Sequence, residues 1–143
     1  AITVSPSMGE ESIEPFISNA SKGAYVLCRT SNKSSTFIQE EIYSRVISLC
    51  EALNNQQNIG LVVGATNDDA LMQVRNSTDL PFLIPGIGAQ GGDLQSVLKI
   101  NENSMDTTLI NVSRGIIFSG NKDHDSIRNS AKQYLNQLRG LNG

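Results

Sequence analysis

The sequence predicts an α/β fold built on a parallel sheet, and three observations carry that prediction. Five short apolar runs alternate with segments whose apolar residues recur at helical spacing. The runs are continuous rather than alternating, the pattern of strands covered on both faces. Polar residues gather where the runs end: Ser5 and Ser7, then Thr30, Ser31 and Asn32, then Thr66, Gln90, and Ser113 with Arg114. In parallel α/β sheets that edge is where ligands bind. Two architectures fit, an open doubly wound sheet or part of a (β/α)8 barrel. A complete barrel takes about 250 residues, so the barrel reading leaves three strands outside these 143 residues.

Taken in order, Ile2 to Val4 is a short strand that closes at Ser5-Pro6-Ser7-Met8-Gly9. Ile13, Phe16, Ile17 and Ala20 are spaced as one helix face, and Pro15 lies early enough to be tolerated. Ala24 to Cys28 is the second strand, ending in the polar Arg29-Thr30-Ser31-Asn32. The strongest helical stripe follows, through Ile38, Ile42, Val46, Leu49, Cys50 and Leu53. Ile59 to Val63 is the third strand, ending at Gly64-Ala65-Thr66. Asn67 then caps a helix with Asp68 and Asp69 in its first turn and Ala70, Leu71 and Val74 on its buried face. Phe82 to Ile84 and Thr107 to Val112 are the fourth and fifth strands. A short helix, Leu94 to Ile100, lies between them, and a last helix from about Ser126 buries Ile127, Ala131, Tyr134, Leu135 and Leu138.

Composition bounds the function. Residues 1–143 fit one domain, with 38% hydrophobic and 17% charged residues. A net charge of −3, from 11 basic and 14 acidic residues, gives no support to nucleic acid as a partner. No apolar run is long enough to span a membrane, and Ala1 to Val4 lack the features of a signal peptide. Cys28 and Cys50 lie in apolar patterns and read as buried free thiols in a reducing compartment, so a cytoplasmic location is expected. The chain opens directly inside a strand pattern, as the downstream portion of a longer barrel would.

The stretch Pro85-Gly86-Ile87-Gly88-Ala89-Gln90-Gly91-Gly92-Asp93 joins a strand to a helix through a glycine-rich turn. Glycines let backbone approach a ligand closely, and a helix start offers unpaired N–H groups, so an anion, usually a phosphate, is the expected occupant. Asp93 itself sits at a capping position. Gly86 to Gly91 also matches the dinucleotide pattern G-x-G-x-x-G. That pattern normally follows the first strand of a fold, and the next strand here ends in Ser113-Arg114 rather than an acidic residue. NAD is therefore disfavoured and NADP stays open, as does a tight turn without a ligand. Arg114 can fork two N–H groups onto a phosphate. His124, among Lys122, Asp123 and Asp125, reads as an exposed linker residue. No spacing suggests a metal site and no G-x-S-x-G elbow is present.

Five strings together resemble orotidine 5′-phosphate decarboxylase: Ser5 to Gly9, Val26 to Asn32, Leu61 to Thr66, Pro85 to Asp93, and Asn111 to Gly115. They occur in that family's order and cover essentially the whole chain. The resemblance implies a ribulose-phosphate-binding type of (β/α)8 TIM barrel, of which this chain is strands four to eight and residues 1–143 a single C-terminal unit. It implies conversion of orotidine 5′-phosphate (OMP) to UMP and CO2 in pyrimidine biosynthesis, without metal or cofactor, usually by a homodimer. By position, Gln90 and Arg114 resemble the residues that grip the 5′-phosphate, helped by backbone N–H groups near Gly91 and Ser113. Ser31, beside Thr30, resembles the residue that reads the pyrimidine edge, and Pro85 the apolar wall near the reacting carbon.

The family's chemistry belongs to a Lys-Asp-Lys-Asp network that includes a D-x-K-x-x-D motif, and no such motif occurs here. Lys22, Lys33, Lys99, Lys122 and Lys132 fall on helix or loop patterns. No catalytic residue is therefore expected in this chain, and residues 1–143 alone are expected to be inactive. An exposed first-strand edge and apolar interior would favour association with the upstream portion or a second copy. The alternatives are a non-catalytic nucleotide- or phosphate-binding half-barrel, another ribose-phosphate barrel enzyme, or an NADP-binding α/β domain.

Overall fold

Strand order decides between the two architectures. In the computed structural model, which describes residues 1–140, the five strands lie side by side in the order of the chain. They are β1 (Ile2–Val4), β2 (Ala24–Arg29), β3 (Ile59–Val63), β4 (Phe82–Pro85) and β5 (Thr108–Asn111), and every neighbouring pair is parallel. A doubly wound sheet reverses its strand order at a switch point, and a dinucleotide sits there. This sheet has no reversal. It is the singly wound arrangement of a barrel segment, and the dinucleotide reading of Gly86 to Gly91 loses its structural basis.

The helices pack on one face. They are α1 (Glu14–Ile17), α2 (Thr36–Leu53), α3 (Asp68–Arg75), α4 (Leu94–Ile100), α5 (Arg114–Ile117) and α6 (His124–Leu138). Strand residues Val4, Val26, Cys28, Leu61, Val63, Phe82 and Ile84 meet Ile17, Ile47, Cys50, Leu71, Val74 and Val97 in one apolar core. By alternation, Thr3, Tyr25, Leu27, Val62, Leu83, Pro85, Leu109 and Asn111 line the opposite, inner face. Only β3 is buried at all five positions. On the inner face Leu27 and Leu83 are half-buried and Leu109 is 54% exposed, so the expectation of strands covered on both faces holds for β3 alone. Gly60 belongs to that face because a Cβ there would lie 2.5 Å from the Tyr25 ring.

Several local expectations shift. The first helix contracts to four residues behind two 3-10 turns, with Ile13 and Ile17 buried but Phe16 and Ala20 exposed. Along α2 the buried positions are Val46, Ile47 and Cys50, while Ile38 and Ile42 are 60% and 37% exposed. The first turns of α2 flank an open groove of 530 Å3 that Phe37 lines with Pro6 and Leu27. No residue of α6 is fully buried, and Leu135 is exposed. His124 opens α6 rather than lying in a linker, with its side chain 78% exposed. Cys28 and Cys50 are free and buried, and burial first of all pushes both thiols up to about 12. Neither is a thiolate at neutral pH.

Three helices start on side-chain caps. Asn67 accepts from the Ala70 N–H at 3.0 Å, Asp93 from Ser96 at 2.8 Å and Asp123 from Ser126 at 2.7 Å. Those backbone bonds chiefly hold the Asp93 and Asp123 carboxyls below the ordinary aspartate value of 3.8. With a lowered folded-state pKa, the unfolded chain takes up the proton first. The caps' contribution is therefore complete above about pH 4 and is lost as pH falls through the folded values. The double variant Asp93→Asn, Asp123→Asn keeps an acceptor at each cap and removes its charge. It is expected to flatten the fall in urea midpoint between pH 5 and pH 3; a fall as steep as the parent's would remove these caps from the acid response.

Candidate functional site

The ends of β2, β3 and β4 and the start of α5 converge on one cleft. Its first component depends on an irregularity in β2. Leu27 pairs with Val62 but Arg29 pairs with Val63, so the strand carries a bulge at Cys28. Cys28 and Arg29 consequently both turn towards α2. Arg29 is buried, meets Glu40 at 2.6 Å and lies 5.3 Å from the centre of the Tyr43 ring. Arg29 therefore packs against α2 as a cation between strand and helix. Thr30 is fixed from the same helix: its N–H donates to Gln39 Oε1 at 2.7 Å, and Gln39 Nε2 donates to its hydroxyl at 2.9 Å.

Ser31 is then delivered across the top of β3. A Cβ on Gly64 would stand 2.6 Å from the Ser31 nitrogen, so the close passage of Ser31 over β3 requires glycine there. The Thr66 hydroxyl donates to the Ser31 carbonyl at 3.1 Å and completes the support. From this position the Ser31 hydroxyl donates to Gln90 Oε1 at 3.2 Å, across 59 residues of sequence. Ser31 and Gln90, assigned separately to base and phosphate, thus form one bridge. Thr30, Ser31, Gly64, Thr66 and Gln90 share a pocket of 260 Å3.

The glycine stretch is a loop closed on itself. Gly92 N–H donates to the Gly86 carbonyl at 3.0 Å, Gly88 N–H to Gly92 at 3.0 Å and Gly91 N–H to Gly88 at 2.8 Å. Gly86, Gly88 and Gly91 have φ of +102°, +72° and +95°, which glycine adopts without strain. Two expectations are refined by this geometry. Asp93 occupies the start of α4 with its own carboxylate, so that helix end is not an open anion site. Gly91's own N–H is committed within the loop, whereas the N–H groups of Ala89 and Gln90 have no backbone partner among the described residues.

Facing the loop, Arg114, read from sequence as a strand-end residue, is the first residue of α5, preceded by Ser113. The Ser113 hydroxyl donates to Asn111 Oδ1 at 2.9 Å and makes no cap bond, leaving the first N–H groups of α5 without a side-chain acceptor. Pro85, Ala89, Gln90, Ser113 and Arg114 line one cavity of 250 Å3. Every residue expected in the site therefore lies in one of two pockets that share Gln90, apart from Gly91, which belongs to the loop between them. Gly64 and Thr66 were given no role from sequence, although their string was singled out. Signals for both exist at the β3 terminus, a glycine where backbone must cross and a hydroxyl just beyond.

Chemically the 250 Å3 cavity offers a guanidinium, an amide, backbone N–H groups and an apolar wall, and its lining contains no carboxylate, lysine or histidine. Such a set recognises an anion and a polar ring edge. It has no group suited to proton transfer at carbon. Among the described residues no group of three or more His, Cys, Asp or Glu could hold a metal ion, and no helix is long and apolar enough to cross a membrane.

A singly wound parallel sheet with its polar groups at the strands' C-terminal ends is a segment of a TIM barrel carrying an anion-recognising edge. Comparison with known proteins gives the family. The sequence model of the orotidine 5′-phosphate decarboxylase / HUMPS family matches residues 1–127, and the chain belongs to that family. It is 43% identical over 133 residues to the orotidine 5′-phosphate decarboxylase of Halorubrum lacusprofundi, covering 84% of this chain and 48% of that protein. Identity is 44% over 128 residues to the corresponding protein of Natronomonas pharaonis, with 84% and 47% covered. The solved OMP decarboxylase of Leishmania donovani superposes with a TM-score of 0.79 at 35% identity, over 97% of this chain and 56% of that one. The chain thus spans about half the length of these relatives.

Proposed function

We propose that this chain is the substrate-gripping, C-terminal portion of an orotidine 5′-phosphate decarboxylase, strands four to eight of its barrel, making UMP and CO2 from OMP. The observation that carries the reading is the Ser31–Gln90 bridge, which ties the phosphate loop to the end of β2. Gln90 and Arg114 hold the 5′-phosphate, with backbone N–H groups around Gly91 and Ser113. Ser31 and Thr30 meet the pyrimidine edge, and Pro85 forms the wall beside the reacting carbon. The acid–base groups that crowd the departing carboxylate and protonate C6 lie upstream of Ala1. A grip on a remote phosphate contributes to catalysis by holding the reacting ring against those groups, so that binding energy lowers the barrier.

The partner is a small nucleotide. The inner face, with Leu109 54% exposed, and the β1 edge, with Ile2 47% exposed, are covered by the upstream strands and, in the assembled enzyme, by a second copy. Buried free thiols suit a cytoplasmic home. The test is turnover of OMP by a chain extended upstream until it includes a D-x-K-x-x-D motif, beside residues 1–143 alone. Activity is expected only from the extended chain. Decarboxylation by residues 1–143 would overturn the upstream placement of the chemistry, and an inactive extended chain would overturn the function.

A further inference from the structure

The two halves of the phosphate grip come from different βα units, and something must hold them at a fixed separation. Behind them, on the helix side, lies a cleft of 370 Å3 lined by Gly88, Gly115, Ser130 and Tyr134 among others, so the loops are not backed by continuous packing. One oxygen crosses that cleft. A Cβ built on Gly88 would stand 2.8 Å from the Tyr134 hydroxyl, and one on Gly115 would stand 2.6 Å from the same atom. The hydroxyl therefore abuts the backbone of the glycine loop and the backbone of α5 next to Arg114. Tyr134 itself is anchored, half-buried against the apolar core. One turn earlier on α6 the Ser130 hydroxyl donates to the Gly115 carbonyl at 2.8 Å.

We propose that Tyr134, with Ser130, is a positioning residue for phosphate recognition: it spaces the Gln90 loop and the Arg114 helix so that both engage one phosphate. The inference rests on the phosphate reading given above. It also explains Gly115, which has no positive φ and would otherwise accept alanine within α5. A methyl group there collides with the tyrosine oxygen and drives the two loops apart or the ring out of the cleft.

The test is a set of calorimetric titrations of UMP and uridine against the parent chain, Gly115→Ala, Tyr134→Phe and the double variant Gly115→Ala, Tyr134→Phe. Urea midpoints are measured on the same samples. The readout is the ratio of UMP to uridine affinity, which a loss of fold stability alone does not move. Gly115→Ala is expected to lower that ratio by about tenfold or more, since small displacements of gripping groups are costly. Removing the hydroxyl in the double variant is expected to restore most of it. Should Gly115→Ala not fold, Tyr134→Ala, which adds no atoms, is expected to show the same loss. A parent that prefers UMP, with a ratio unchanged in Gly115→Ala or Tyr134→Ala, overturns the positioning role alone, as does a double variant no better than Gly115→Ala. A parent that binds both ligands equally overturns the phosphate reading itself.

Discussion

Replacing Arg114 with alanine is expected to weaken UMP binding by about 2–3 kcal/mol, on the order of 30- to 150-fold, and to leave uridine nearly unaffected. The magnitude follows from what Arg114 supplies. It is the only charged side chain lining the 250 Å3 cavity, and it faces Gln90 and the glycine loop across it. Hydrogen bonds between ions are worth more than neutral ones, and a guanidinium can make two in parallel to a phosphate. Arg114 is exposed and has no ion pair among the described residues, so its removal leaves no buried partner stranded. Its loss should therefore appear in affinity rather than stability. Titration calorimetry with both ligands measures it directly. An Arg114→Ala variant that binds UMP as the parent does would take Arg114 out of the site.

The largest loss of stability is expected from Phe82→Ala, about 3–5 kcal/mol. Phe82 opens β4 and is fully buried in the core under the helices. Its ring also carries Arg75, whose guanidinium carbon lies 3.4 Å from the ring centre. Arg75 is held by Asn101 Oδ1 at 3.0 Å and by the Leu80 carbonyl at 3.2 Å, while its Nη2 is buried without a partner. Truncating the ring opens a cavity beneath a half-buried cation that keeps its desolvation cost and loses the aromatic face. Against a typical domain stability of about 5–15 kcal/mol, such a loss leaves the fold marginal. Urea unfolding followed by circular dichroism checks it. A loss below about 1 kcal/mol would mean that β4 relaxes around the gap and that the core is not rigid there.

What could be read from the sequence depended on how local each signal was. The five strands and the polar residues at their ends were legible because apolar runs and glycine turns are written in contiguous residues. The glycine loop and Arg114 are two such features. The order of the strands was not legible, since periodicity says nothing of which strands are neighbours, and for that reason the doubly wound alternative stayed open. The bulge at Cys28 exists only in the pairing of β2 with β3, so Arg29 read as one more polar strand-end residue although it packs against α2. Four residues are too few for a helical period, so α5 was missed and Arg114 was read as a strand-end residue. Ile38 and Ile42 are exposed because they line an open groove with Pro6 and Leu27, which the stripe itself does not record. Tyr134 showed only its apolar spacing, whereas its hydroxyl acquires meaning from two glycines 46 and 19 residues earlier, at positions 88 and 115.

The central question is whether this chain carries the phosphate end of a nucleotide site. Titrating residues 1–143 with UMP and with uridine measures that most directly, because the two ligands differ only in the phosphate. Saturable UMP binding at least about 30-fold tighter than uridine is the expected result, as charge-assisted hydrogen bonds from Arg114 and the loop require. Equal affinity for the two would contradict it.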